Sequence, residues 1–286
     1  MKKIIYIISL LTINALFTMS CANGKEKIEE KRKPMNYTVV LDLSDRILLP
    51  NQLEKDFYLI ENYFNSFEKT ARLNLVLTSK DRFSIKIIPQ KYSPLNVEQF
   101  EDLLHIYLDE TNIKDKNNSL ESMKKNLPII LEKLKKEALY GKVSKQYFGV
   151  DIWAYLHDNG LGLSKKDYEN INLVLTDGYF DFENQAHVIQ SKNLYTSTKF
   201  LNELPSGNWK QVAETKQYGL LPIKLDTKTK WVIAGIAGKK SNDILQTEKI
   251  TYFWEKWLKQ SNVIEKPEII LNSSKTEMNS KLLQQL

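Results

Sequence analysis

The chain has 286 residues, 42% of them hydrophobic, 27% charged and 10% aromatic, which excludes a wholly disordered or fibrous polypeptide and is long enough to bury a sizeable core. Ten glycines and eight prolines are too few for a collagen-like or low-complexity tract, and no solenoid or propeller repeat is visible. The net charge is +6, but basic residues are interspersed with acidic ones and do not gather into a stripe with aromatics, which argues for a solvated lysine-rich surface and against a nucleic-acid partner.

Residues 1–20 have the order of an export signal: Lys2 and Lys3, an apolar run from Ile4 to Phe17, then small Ser20 directly before Cys21. The run is too short for a permanent membrane span. Cys21 is the only cysteine in the sequence, so an intramolecular disulfide and a multi-cysteine metal site are both excluded. The stretch Thr18-Met19-Ser20-Cys21 resembles a bacterial lipobox, which implies cleavage before Cys21 and attachment of diacylglycerol and an N-acyl chain such as palmitate, a firm membrane anchor. Residues 21–35 read as the lipidated cysteine and a tether, because from Lys25 to Lys33 only Ile28 is uncharged. A lysine and acids just behind the cysteine resemble the surface-export signals of Bacteroidota-type lipoproteins, which points to the cell envelope and an outer-membrane, periplasmic or surface-facing location.

The folded part is expected over 36–262, with 263–286 as a tail. Tyr37–Leu41 is β-branched and apolar, and reads as a buried parallel strand ending at Asp42. Leu53, Phe57, Ile60, Phe64 and Phe67 have helical spacing, predicting a helix over Gln52–Lys69. Leu73–Leu77 and Phe83–Ile88 read as two strands of a hairpin around Ser79-Lys80-Asp81. Helices are expected over Asn96–Leu108, over Leu120–Leu139 after the breaker Asn117-Asn118-Ser119, and over Asp151–His157. Ile171–Thr176 is a second buried strand, again followed by an acid, Asp177; Lys230–Ile236 is a third, and Ile244–Gln260 an aromatic-rich helix. This alternation predicts an α/β sandwich with a mostly parallel sheet and one antiparallel edge strand. Ligands of such sheets bind at the carboxyl ends of the strands, where Asp42 and Asp177 lie.

Asp42-Leu43-Ser44-Asp45-Arg46 after the first strand and Leu175-Thr176-Asp177-Gly178 at the end of a later one together resemble the von Willebrand factor type A domain, over about Tyr37 to Gln260. The resemblance implies a doubly wound sheet and a metal-ion-dependent adhesion site built from three loops at the strand tips. Asp42 matches the leading acid and Ser44 the first hydroxyl ligand of that site. Arg46 stands in place of its second serine. In Phe148-Gly149-Val150-Asp151-Ile152, Val150 replaces the ligating threonine and Asp151 keeps the acid, while Asp177 matches the acid of the third loop.

An intact version of this site would favour Mg2+ or Mn2+, held by oxygen ligands and waters with one position open to a partner's acid. The substitution by Arg46 opens a second reading, in which its guanidinium pairs with Asp42 or Asp177 and neutralises the site without metal. Each element also has a plainer reading. Asp177-Gly178 would be a strand-to-loop turn, and Asp151 a helix N-terminal acid favoured by the macrodipole. Tyr179-Phe180-Asp181-Phe182 should stand beside the same crevice, so Tyr179, Phe180 and Asp181 are candidates for a ligand rim, or else they pack the insertion before Leu220.

Enzymatic readings do less well. A haloacid-dehalogenase-like phosphatase would need a second acid where Ser44 stands. Gly238-Lys239 lacks the upstream glycine and the following Ser or Thr of a phosphate loop. His105, His157 and His187 have no ligand spacing. The sequence therefore points to a membrane-anchored extracytoplasmic binding or adhesion module, not an enzyme, with a protein ligand or an envelope complex as partner. The alternatives are a metal-dependent phosphate-ester hydrolase and a structural envelope subunit without metal.

Overall fold

A computed structural model describes residues 32–73, 75–140, 149–181, 192–239 and 243–286. Met1–Lys33 and Pro34–Leu286 are separate units, and the fold discussed below is that of the second. Cys21, the apolar run before it, Phe148, Phe182 and His187 lie outside the described residues.

The first strand, β1 (Met35–Asp42), is buried along its whole length, as its run of apolar and β-branched residues requires. It lies at the centre of a six-stranded sheet with β2 (Arg82–Ile88), β3 (His105–Tyr107), β4 (Glu169–Leu175), β7 (Lys230–Ile236) and β8 (Glu268–Leu271), in the order β3-β2-β1-β4-β7-β8. All neighbours are parallel except β2 and β3. The expected α/β sheet with one antiparallel edge strand is therefore observed. Two short strands, β5 (Leu194–Tyr195) and β6 (Gly219–Leu220), pair separately in the insertion after β4.

Helices cover both faces. On one, α1 (Gln52–Leu73) presents Phe57, Ile60, Phe64 and Phe67 to Tyr37, Val39, Phe83 and Ile85 of the sheet, and α3 (Lys116–Ala138) adds Leu127 and Leu131. On the other, α4 (Ile152–Asn159) and α6 (Ile244–Gln260) bury Ile152, Leu156, Phe253, Trp254 and Trp257 against Val40, Val174 and Ile233. Two shorter helices, α2 (Val97–Leu103) and α5 (Trp209–Thr215), fill the connections. Among the described residues no helix is long and apolar enough to cross a membrane.

Four expectations are corrected. Among the described residues of Leu73–Leu77 none lies in a strand: Leu73 ends α1, and residues 76–78 turn with Leu73, Leu75 and Leu77 exposed. A strand there would have nothing to pack its leucines against. The antiparallel partner of β2 is instead β3, where buried Ile106 pairs with Phe83. The helix expected over Asn96–Leu108 accordingly stops at Leu103. Asn117-Asn118-Ser119 does not break a helix but lies in the first turn of α3, where polar side chains are tolerated beside unpaired backbone N–H groups.

The largest change concerns residues 263–286, expected as a tail. They supply β8, which pairs with β7, and α7 (Lys275–Leu283), which packs on α1. Ile270, Met278 and Leu282 are buried in the same core as Tyr37 and Phe64. Lys55 Nζ donates to Asn272 Oδ1 at 2.9 Å, and Lys230 Nζ to the Gln285 carbonyl at 2.8 Å. The short apolar stretch Glu268–Leu271 hides this role, because four residues carry too little periodicity to mark a strand.

Candidate functional site

Strand order reverses between β1 and β4, and the chain leaves these two strands toward opposite faces of the sheet. A crevice at the carboxyl ends of such a pair is where ligands of doubly wound sheets bind. Asp42 ends β1, and Thr176 and Asp177 follow β4, so topology alone brings these groups together.

Asp42 is buried, and both of its carboxylate oxygens accept hydrogen bonds. Oδ1 takes the Ser44 backbone N–H at 2.7 Å and Oδ2 the Thr176 hydroxyl at 2.8 Å. Thr176 Oγ1 in turn accepts from Gly178 N at 3.0 Å, linking the β1 and β4 loops through one hydroxyl. Burial raises the Asp42 pKa against the opposing pull of Arg46 and these hydrogen bonds. Asp177 is half-buried, and its Oδ1 accepts from Tyr179 N at 3.2 Å. Burial, and then the negative charge of Asp42, push its carboxyl up to about 7, while Arg46 acts in the other direction.

Arg46 corrects one expectation. Its guanidinium is not paired with the carboxylate of Asp42 or Asp177 but forms a bidentate pair with Asp56 of α1: Nη1 to Oδ2 at 2.8 Å and Nη2 to Oδ1 at 3.0 Å. Nη1 also donates to the Asp42 carbonyl at 3.1 Å, and Gln52 Nε2 donates to Asp56 Oδ1 at 3.0 Å. The desolvation that would drain the Arg46 charge is overcome, first by Asp56 and then by Asp42 and Asp177, so its pKa is raised. The cation thus acts on the two site carboxylates through space while its hydrogen bonds hold the α1 carboxylate.

Gly235 makes room for this arrangement. It sits at φ +104°, where the β7–β8 register shifts, and a Cβ there would lie 2.8 Å from the Thr176 carbonyl oxygen and 3.3 Å from Arg46 Nη2.

Asp151 takes the plainer of its two readings. It caps α4, Oδ1 accepting from Ala154 N at 2.9 Å, and Val150 before it is buried in the core. A divalent cation of the magnesium type requires a near-octahedral set of oxygens. Among the described residues no group of three or more His, Cys, Asp or Glu side chains is disposed to hold a metal. Both Asp42 oxygens are engaged, and a buried guanidinium stands beside them.

The rim is also revised. Phe180 is buried against Trp254 and Trp257, with ring centroids 4.6 and 5.1 Å away, so it belongs to the core. Tyr179 is buried too, its hydroxyl accepting from Lys239 N at 3.0 Å under the Lys239 ammonium. Asp181 accepts from the Thr198 hydroxyl at 2.6 Å and the Ser197 hydroxyl at 3.2 Å, and pairs with exposed Lys239 at 2.7 Å. Beyond Lys239 a groove of about 1280 Å³ runs between α6 and β8, with exposed Leu49, Ile244 and Leu271 among its lining residues. Of the other histidines, His157 stacks on Trp153 and His105 lies 3.1 Å from the Glu101 carbonyl oxygen, in separate parts of the fold. Thr176 and Asp56 were not legible as site residues. The one signal for Thr176 was a hydroxyl immediately before Asp177-Gly178.

No family model and no curated protein matches this chain. Among solved structures it is similar to the pilus adhesin SpaC from Lactobacillus rhamnosus GG in its open conformation, with 11% identity over 89% of this chain and 30% of that one, at a TM-score of 0.44. A second crystal structure of SpaC gives 11% identity, 90% and 30% coverage and a TM-score of 0.45. Proximal thread matrix protein 1 from the mussel byssus gives 12%, 88% and 47%, at 0.36. The chain thus spans less than half the length of the proteins it resembles, and scores at this level assign no function.

Two outcomes follow from the charges. Asp56→Ala leaves a buried guanidinium without its partner and is expected to cost about 3–5 kcal/mol in urea unfolding; a loss below about 1 kcal/mol would show that the pair is not the anchor described. Asp177 holds its proton to about pH 7 when folded but only to its ordinary value of 3.8 when unfolded. The folded state therefore binds more protons in this window, and this group's contribution to stability is full below it and lost as pH rises through 7. Asp177→Asn should melt higher than the wild type at pH 8, with the difference fading toward pH 4; a difference independent of pH would contradict the assignment.

Proposed function

We propose that this protein is an extracytoplasmic binding module, tethered to the membrane through lipid on Cys21, that engages a protein partner at the carboxyl end of its sheet. The observation that carries this reading is the state of Asp42. A strand-end aspartate that serves as a nucleophile or base needs an accessible oxygen. Here both oxygens are buried and engaged by Ser44 N and Thr176 Oγ1, which supports a recognition role over ester hydrolysis. The groove beside Lys239, with its apolar and charged lining, supplies a surface of the kind a protein segment fills. In this reading Arg46, locked by Asp56, provides the positive charge that a cation supplies in an adhesion-type site, and engagement of the partner does not require Mg2+ or Mn2+.

The test is thermal unfolding of the chain with millimolar magnesium or manganese. A ligand of the native state present at a hundredfold excess over its Kd adds about 2.7 kcal/mol, so binding would be visible as a raised Tm. No shift is expected. A shift that Asp42→Ala abolishes would overturn the metal-free reading, and turnover of a generic phosphate ester abolished by Asp42→Asn would overturn the binding reading itself. Anchoring is tested separately: Cys21→Ser should abolish acyl labelling and release the protein from membranes, and unchanged fractionation would count against the tether.

A further inference from the structure

The opposite end of the sheet carries a second polar site. Buried parallel strands are normally apolar on both faces, yet the face of β1 away from α1 presents Asn36 and Thr38. Register places Arg82 and Asn170 beside Asn36, and Ser84 and Asn172 beside Thr38. Asn36 is satisfied, Nδ2 donating to the Leu163 carbonyl and to Asn170 Oδ1, both at 2.9 Å, and Thr38 Oγ1 donates to the same carbonyl at 3.2 Å. Asn170 is satisfied as well, bonded to Lys165 and Asn36, and Arg82 is paired with Asp109 and Glu110, but Asn172 is not. Asn172 is fully buried, and neither its Oδ1 nor its Nδ2 has a partner among the described residues; the same holds for Nε1 of Trp231, its neighbour on β7.

A cavity of about 270 Å³ opens over Asn36, Thr38 and Ser84, and Asn172 and Trp231 do not line it; its other lining residues are Tyr107 and the segment 162–166, together with four cations, Arg82, Lys86, Lys165 and Lys166. No carboxylate lines it. The surrounding acids are Asp109 and Glu110, which meet Arg82 Nη1 at 2.9 and 2.6 Å, Asp109 again on Lys165 at 2.7 Å, and Glu101 on Lys86 at 2.7 Å. The Ser84 hydroxyl, Arg82 Nη2 and Nε, and the exposed Lys166 ammonium make no hydrogen bond with the described residues. The volume is too small for a drug-sized ligand and suits a small ion with its waters.

We propose that this cavity binds a small phosphate-type oxyanion, with Ser84 donating from the floor and Arg82 and Lys166 from the rim. Charge-assisted hydrogen bonds from a guanidinium and an ammonium, reinforced by a hydroxyl, are the chemistry that recognises such an ion. The site lies at the amino ends of β1 and β2, so it is independent of the carboxyl-end groove and of the function proposed for it.

The experiment is calorimetric titration of the full chain with inorganic phosphate, at ionic strength held constant by chloride, and in a parallel arm with a short-chain phosphatidylglycerol. Saturable binding is expected in at least one arm, and the tighter arm distinguishes a free ion from a lipid headgroup. Ser84→Ala and Lys166→Gln should each weaken it about tenfold. Lys166 is exposed and unpartnered, so its variant reports on binding even where Ser84→Ala perturbs folding. Absence of saturable binding in both arms, binding unchanged in Lys166→Gln, or acetate binding more tightly than phosphate would each overturn the proposal.

Discussion

The bidentate pair between Arg46 and Asp56 is the constraint on which the tip of the sheet depends. Three carboxylates, Asp42, Asp56 and Asp177, converge there with little water to solvate them, and such a convergence is unfavourable without a cation. Arg46 supplies it from the turn directly after β1, and α1 begins close enough for Asp56 to receive the fork. The guanidinium also reaches the Asp42 carbonyl, so one side chain ties the strand, the turn and the helix together. Gly235 on β7 completes the enclosure by having no side chain to place there. A pair held this firmly fixes the geometry of the crevice before any partner arrives, which is the condition under which binding loses least to ordering.

What could be read from the sequence follows the strength of each local signal. β1, β4 and β7 are dense apolar runs, the first two ending at polar residues, and the long helices repeat large apolar residues every three or four positions, so all of these were legible. The sheet edges were not. β3 and β8 have three and four residues, and each owes its existence to a neighbour's unpaired edge more than to its own pattern. The apparent hairpin failed for the same reason in reverse, because Leu73, Leu75 and Leu77 look strand-like but have nothing to pack against.

At the site, Asp42 and Asp177 were legible because strand ends mark the crevice. Asp56 was hidden within a helix whose periodicity is fully explained without it, and its pairing with Arg46 exists only once the turn has folded. Phe180 shows the converse error. An aromatic next to a polar loop reads as a rim residue, but the tryptophans of α6, more than seventy positions on, enclose it. The polar row on the far face was concealed in the same way, since Tyr37–Leu41 reads as one buried run and its alternation with Asn36 becomes visible only beside Ser84 and Asn172.

The direction of β1 has a mechanical consequence. The chain enters the sheet at Met35 and reaches Asp42 seven residues later, about 23 Å away at roughly 3.3 Å per residue. A load applied between the amino terminus and the strand tips would run along this central strand, which is paired with β2 on one side and β4 on the other over nearly its full length. Both ladders would then be strained in shear, with many hydrogen bonds resisting together instead of opening one at a time from an edge. The fold is oriented to withstand tension along the axis that joins the start of β1 to the tip of the sheet.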